Sequence, residues 1–132
     1  MLFIKESTIP GAGKGLFTDT EIQRGEIVTE YTGDIRTWKE CQKRFDEDEK
    51  KGAYFYYINR NYVIDAYEDV DSLARYANDA AGPSGIKGIT NNCVYEERGK
   101  RVFIVSIRKI KAGAEVLVTY GAQYWSGEEM KD

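Results

Sequence analysis

The sequence predicts a mainly β domain with one main helix. Three observations carry that expectation. Short runs rich in β-branched and aromatic residues recur along the chain, separated by turn residues. One segment only, near residue 40, combines a helix start signal with an apolar stripe at spacings of three and four. The chain has 2 prolines and no low-complexity tract, so it reads as one folded domain over residues 1–132.

Taken in order, Leu2-Phe3-Ile4-Lys5 is the first strand candidate. Gly11-Ala12-Gly13-Lys14-Gly15-Leu16-Phe17 follows as a glycine-rich loop. It lacks the Lys-Ser/Thr pair of a P-loop, and no long helix follows it as in a dinucleotide fingerprint. Ile27-Val28-Thr29-Glu30-Tyr31 is a strand. Thr37 with Glu40 forms a capping box that starts the helix. Trp38, Cys41 and Phe45 share one helix face, Glu40→Arg44 and Glu47→Lys51 are favourable i,i+4 pairs, and Gly52 is the expected stop. The acidic run Asp46–Glu49 reads as a solvated helix end rather than a docking patch.

Tyr54–Ile58 and Tyr62–Asp65 flank Asn59-Arg60-Asn61 as a hairpin. A helical turn is expected at Asp71–Tyr76 with Asp71 as cap. Cys93-Val94-Tyr95 and Val102–Ile107 flank Arg98-Gly99-Lys100 as a second hairpin, and Glu115–Tyr120 is the last strand. Ile22–Ile27 and Ile110–Val116 contain similar glycine turns.

Composition narrows the chemistry. There are 10 tyrosines and no histidine. That excludes a Ser-His-Asp triad, a histidine general base and His-ligated zinc. Tyrosine supplies a hydroxyl donor and acceptor and a negative π-face suited to a cationic substrate. The 2 cysteines, Cys41 and Cys93, make neither a disulfide framework nor a four-thiolate zinc site, so no metal is expected. A formal net charge of −3 disfavours general nucleic-acid binding. The N-terminus lacks a signal-peptide core, and no stretch reaches the length of a membrane span. An intracellular protein without membrane contact is expected, cytoplasmic if its owner is bacterial.

The decisive signal is order. The chain contains, in sequence, Gly13-Lys14-Gly15-Leu16-Phe17, Glu30-Tyr31-Thr32-Gly33-Asp34, Tyr62-Val63-Ile64-Asp65-Ala66, Arg75-Tyr76-Ala77-Asn78, Asn92-Cys93-Val94-Tyr95 and Thr119-Tyr120-Gly121. Each motif is weak alone, but together they resemble the SET-domain family of protein-lysine methyltransferases across nearly the whole chain, in its compact form without cysteine-rich flanks. The resemblance implies a SET-type β-clip fold of several small sheets, with the C-terminal segment threaded knot-like under the loop after Asn78, bringing Tyr120 beside Asn78. It implies S-adenosyl-L-methionine as methyl donor and a protein lysine, commonly on a histone, as acceptor. Donor contacts would come from Gly13, Lys14, Gly15, Arg75, Asn78 and Asp79, with Trp125 over the adenine. Tyr120 would lie beside the transferring methyl as the catalytic residue. Tyr31, Tyr54, Tyr95 and Tyr124 would line the lysine channel, while Tyr56, Tyr57, Tyr62, Tyr67 and Tyr76 are assigned to packing.

Two departures stand out. Asp79 replaces the family's usual histidine, where a carboxylate is placed to accept from the adenine amine. The 82–90 loop is longer than the usual link. Both favour an alternative, a catalytically weak or inactive SET-fold binding module. A third reading, an unrelated β domain that stacks nucleic-acid bases on its aromatics, conflicts with the acidic balance. With no cysteine-rich flank, residues 123–132 or a second copy in a homodimer are the candidates to close the channel.

Overall fold

The computed structural model describes residues 1–69, 71–80 and 88–120. In chain order the strands are β1 (Leu2–Glu6), β2 (Lys14–Thr18), β3 (Ile27–Tyr31) and β4 (Asp34–Arg36). Helix α1 (Trp38–Glu47) and a 3-10 helix (Glu49–Tyr54) follow, then β5 (Phe55–Asn59) and β6 (Tyr62–Asp65). A 3-10 turn (Leu73–Tyr76) precedes β7 (Cys93–Arg98), β8 (Arg101–Ser106), β9 (Glu115–Val116) and β10 (Val118–Thr119). The strands form three small sheets, ordered β1-β2-β9, β10-β7-β8-β3 and β4-β6-β5.

Alternation builds the core where these sheets meet. Leu16, Ile64, Cys93, Val102, Ile104, Ile110, Val116 and Val118 are all buried in one cluster. Burial of each large aliphatic side chain contributes about 1.5–3 kcal/mol. The two similar glycine turns lie side by side, because Ile22 and Ile110 exchange backbone hydrogen bonds of 2.9 and 2.8 Å. Gly25 (φ 85°) and Gly113 (φ 88°) occupy the left-handed region that lets each chain reverse.

Several elements differ in detail from expectation. The capping box is present, with Thr37 accepting from the Glu40 N–H and Glu40 accepting from the Thr37 N–H. Yet α1 ends at Glu47 rather than running to Gly52. Acidic residues at a helix C-terminus oppose its dipole, and the Asp48 carboxylate instead accepts from the Lys50 N–H to start the 3-10 helix. Gly52 lies inside that helix, its bare Cα face under the Phe45 ring. Arg44 bonds Glu68 and approaches Asp65, not Glu40. The turn after Asp71 is capped at Ser72, without a side-chain bond. Half of the glycine-rich segment is strand, since Lys14–Thr18 pairs with β1 along its length. The loop proper closes with Ser7 N–H donating to the Gly13 carbonyl.

The last expected strand is broken at Leu117, and the break places the site. Residues 115–119 run between two arms of the chain. On one side, Val118 N–H donates to the Asn78 carbonyl at 2.9 Å, and Asn78 and Leu117 form a parallel bridge. On the other, Asn92 and Cys93 N–H groups donate to the Leu117 carbonyl, and β10 pairs parallel with β7. The arms of the connection from Asn78 to Asn92 thus bracket the C-terminal segment, the arrangement expected of the threading. Residues 81–87 of that connection lie outside the described residues.

Candidate active site

Asn78 joins the glycine strand to the threaded segment. Its amide Nδ2 donates to the Lys14 carbonyl at 3.0 Å and approaches Glu115 Oε2 at 3.5 Å. Gly13 (φ 76°) turns the chain into β2, with open space where a side chain would be. Backbone can lie directly against a ligand there. Those features fit the methionine part of a methyl donor, whose ammonium needs acceptors and close backbone approach. Gly13, Lys14, Gly15 and Asn78 are therefore brought together as expected.

Asp79 faces the protein. It is 6% exposed. Its Oδ2 accepts the Tyr120 N–H at 2.9 Å, and Oδ1 accepts from Asn91 Nδ2 at 2.8 Å. Asn91 Oδ1 in turn accepts the Ala80 N–H at 2.8 Å. The carboxylate that replaces the family's histidine thus clasps the backbone of Tyr120. The Tyr120 hydroxyl donates to the Ala77 carbonyl, so both ends of this residue are tied on either side of Asn78.

From Tyr120 an aromatic row leads away. Tyr120 stacks on Tyr95 with centroids 6.3 Å apart. Tyr95 meets Tyr31 edge-on at 5.9 Å and Tyr56 at 5.1 Å, and Tyr31 lies 5.9 Å from Tyr56. Tyr31 is further fixed by its hydroxyl, which donates to the Tyr54 carbonyl. Tyr56, assigned to packing from sequence, belongs to this row. Its phenol is pushed well above the ordinary tyrosine range, first by burial and then by the Glu97 carboxylate, which accepts its hydrogen bond.

Tyr54 goes elsewhere. It precedes β5, and its ring packs on Tyr67 at 5.6 Å and under the Arg75 guanidinium at 4.3 Å. Arg75 donates to the Ala66 and Tyr67 carbonyls. That geometry packs the 3-10 turn against the end of β6. Tyr124 and Trp125 lie outside the described residues. Burial pushes the Cys41 thiol up to about 11 and the Cys93 thiol up to about 12, so neither is a ready nucleophile. Among the described residues no group of three or more Cys, Asp or Glu could hold a metal ion.

The model of the SET domain matches residues 13–121. The chain belongs to the SET-domain family. It is 32% identical to the N-lysine methyltransferase KMT5A of Xenopus tropicalis, over 89% of this chain and 36% of that protein. It is 30% identical to the histone-lysine N-methyltransferase ASHH1 of Arabidopsis thaliana, over 92% of this chain and 24% of that protein. The chain therefore spans about a third or less of the length of these relatives. A solved structure titled ctPRC2 in an autoinhibited conformation bound to S-adenosylmethionine aligns with a TM-score of 0.72 at 26% identity, covering 91% of this chain and 15% of that one. The mainly β, multi-sheet SET fold with one main helix is thereby established.

This SET domain holds three functional candidates that the sequence reading passed over. Tyr56 was legible from alternation, since Tyr56 and Ile58 of β5 face the core together. Asn92 stands out in the sequence only as part of a motif. Its amide donates to the Glu115 carbonyl at 2.9 Å and its oxygen accepts the Leu117 N–H at 2.9 Å, bridging the break between β9 and β10. Glu115 was read only as a strand residue, yet its carboxylate is 6% exposed and gathers donors from Ser7, Thr8 and Asn78. Its signal was a charge at an inward-facing strand position, just before Val116.

Proposed function

We propose that this SET domain transfers a methyl group from S-adenosyl-L-methionine to the side-chain amine of a protein lysine. One observation carries the reading above the others. The Asn78 and glycine-strand corner and the tyrosine row meet at Tyr120, through the Asp79 and Ala77 hydrogen bonds on one side and the Tyr95 stack on the other. A donor subsite and a cation-compatible aromatic passage are thus adjacent. The relatives named as lysine methyltransferases and the donor-bound structural neighbour support the same reading.

When bound, the donor supplies a sulfonium methyl as electrophile. The chain's residues supply position and environment. Gly13, Lys14, Gly15 and Asn78 hold the donor's methionine part, and Arg75, Asp79 and Trp125 are assigned to the surrounding donor shell, Asp79 acting through Tyr120. Tyr31, Tyr56 and Tyr95 wall the lysine passage, with Tyr54 behind Tyr31 and Tyr124 assigned to the rim. Their faces attract the ammonium and cover its aliphatic stem. Desolvation between these rings lowers the lysine pKa from about 10.4, so the amine gives its proton to water and attacks as a neutral nucleophile. The carbon–sulfur bond breaks as the carbon–nitrogen bond forms, and the pair of electrons stays on sulfur. Because the Tyr120 proton is donated to Ala77, its phenolic oxygen presents lone pairs, suited to weak contact with polarised methyl hydrogens. Orientation in a narrow passage supplies much of the acceleration.

The acceptor we propose is a lysine on a basic protein, with histones as the first to try. Residues 123–132 or a second copy of the chain would complete the passage. The test is mass spectrometry of histones and other basic proteins after incubation with the enzyme and donor, alongside calorimetry of donor binding. Methyl gain on lysine, lost in Tyr120→Phe, is expected. Donor binding with no methyl gain on any lysine would overturn the catalytic reading and leave a SET-fold binding module.

A further inference from the structure

We infer that Glu115 is a positioning residue for the donor site. Its buried carboxylate holds the glycine strand and Asn78 in the register that a methyl donor requires. The inference rests on the proposed donor reading. It goes further by naming the group that builds the subsite without touching the ligand.

Four hydrogen bonds converge on this one side chain. Oε1 accepts the Thr8 N–H at 2.9 Å and the Thr8 hydroxyl at 2.6 Å. Oε2 accepts the Ser7 hydroxyl at 2.7 Å and lies 3.5 Å from Asn78 Nδ2. Ser7 and Thr8 belong to the loop between β1 and β2, and Asn78 pairs with the C-terminal segment at Leu117 and Val118. The partners are 108, 107 and 37 residues away in sequence, so only the fold assembles them. Gly15 abuts the same oxygen, leaving no room for a Cβ there. The backbone of Glu115 is fixed too, its carbonyl accepting from Asn92 Nδ2.

Burying a carboxylate is unfavourable unless its lone pairs are used. Here they are used on segments that converge on the donor corner and on little else. A charged acceptor makes each of these bonds shorter and stronger than a neutral one would. Asn78 therefore receives its orientation from two acceptors, the Lys14 carbonyl and Glu115, which leaves its own oxygen aimed by the same pair. A glutamine of the same shape could keep one acceptor for the Thr8 N–H. Its amide would then face Asn78 Nδ2, donor against donor, at the point that sets the subsite.

Glu115→Gln tests this. Calorimetry with S-adenosyl-L-methionine should show a dissociation constant raised about tenfold, the loss of about one well-made hydrogen bond. Turnover at saturating donor should stay within about twofold, so the change appears in KM for the donor and not in kcat. Amide exchange at Lys14 and Gly15 should quicken without any donor present. A folded Glu115→Gln protein with wild-type donor affinity and wild-type exchange would overturn the inference. If Glu115→Gln does not fold, Ser7→Ala removes a single donor, and about threefold weaker donor binding is expected. Unchanged affinity in that variant also overturns it. Wild-type protein that fails to bind the donor removes the donor reading itself, and the inference falls with it.

Discussion

Two buried carboxylates, Asp65 and Glu115, organise different parts of this domain by different means. Asp65, 1% exposed, is neutralised by cations. Arg36 Nε lies 2.8 Å and Arg44 Nε 2.9 Å from its Oδ2, and Oδ1 accepts the Tyr67 N–H at 3.0 Å. Among the described residues, the donors to Glu115 are neutral: two hydroxyls, one backbone N–H and an amide. The first arrangement welds β4 and α1 to β6. The second gathers loops around the proposed donor corner. Each has a glycine pressed against it, Gly33 against the Asp65 backbone and Gly15 against the Glu115 side chain. A charge-balanced cluster thus carries architecture, while a neutral-donor cluster sits at the proposed donor corner.

The largest effect that this contrast predicts is at Asp65. Asp65→Ala removes the buried carboxylate between two guanidinium groups, each mostly shielded from water, and leaves only the exposed Asp34 and Glu68 carboxylates to balance them. Breaking a buried pair in this way costs about 3–5 kcal/mol. Denaturant unfolding should show that loss, with donor affinity of the remaining folded protein close to wild type. A loss under about 1 kcal/mol would mean that water reaches the pair and that the cluster is a surface ion pair of ordinary worth.

The glycines separate next. Gly33→Ala places its Cβ into the Asp65 carbonyl and Ala66 nitrogen, which are backbone and held by sheet pairing. Overpacking of that kind costs about 1–3 kcal/mol, read as a lower unfolding midpoint. Gly15→Ala meets the end of a side chain, which has some freedom to shift. Its cost in stability should be the smaller, with the penalty appearing instead in donor binding. Equal stability losses with equal donor affinity would erase the distinction between the two clusters.

Much of this was legible in the sequence, and the limits have physical causes. β3 and the two hairpins announced themselves by residue type, and the Thr37–Glu40 capping box formed as read. Tyr31, Tyr95 and Tyr120, which motif order singles out, lie in one aromatic row. What stayed hidden depended on long-range geometry. Tyr54 and Tyr56 alternate as if on one strand, but the 3-10 helix runs through Tyr54, so β5 begins one residue later and the Tyr54 ring turns to Arg75. The bond between Asp79 and Asn91 joins residues 12 apart, beyond any local pattern. Glu115 was invisible for the same reason, since its partners Ser7 and Thr8 lie at the other end of the chain.

The smallest effect concerns the tyrosine row, where the Glu97 carboxylate is hydrogen-bonded to Tyr56. Tyr56 is held neutral by burial first and by Glu97 second. Its folded pKa is therefore raised above the unfolded value of about 10. The neutral phenol favours folding fully below that value, and the contribution disappears as pH rises toward the folded pKa. Ultraviolet titration should accordingly show an ionisation well after that of the exposed tyrosines, which is missing in Tyr56→Phe. Glu97→Gln removes the second cause while leaving burial in place, so the late step should move down yet remain above the ordinary range. If Tyr56 instead titrates with the exposed tyrosines, water enters the row freely. A passage that wet could not lower the pKa of an incoming lysine by desolvation, and the aromatic wall would then act on its substrate through cation–π attraction alone.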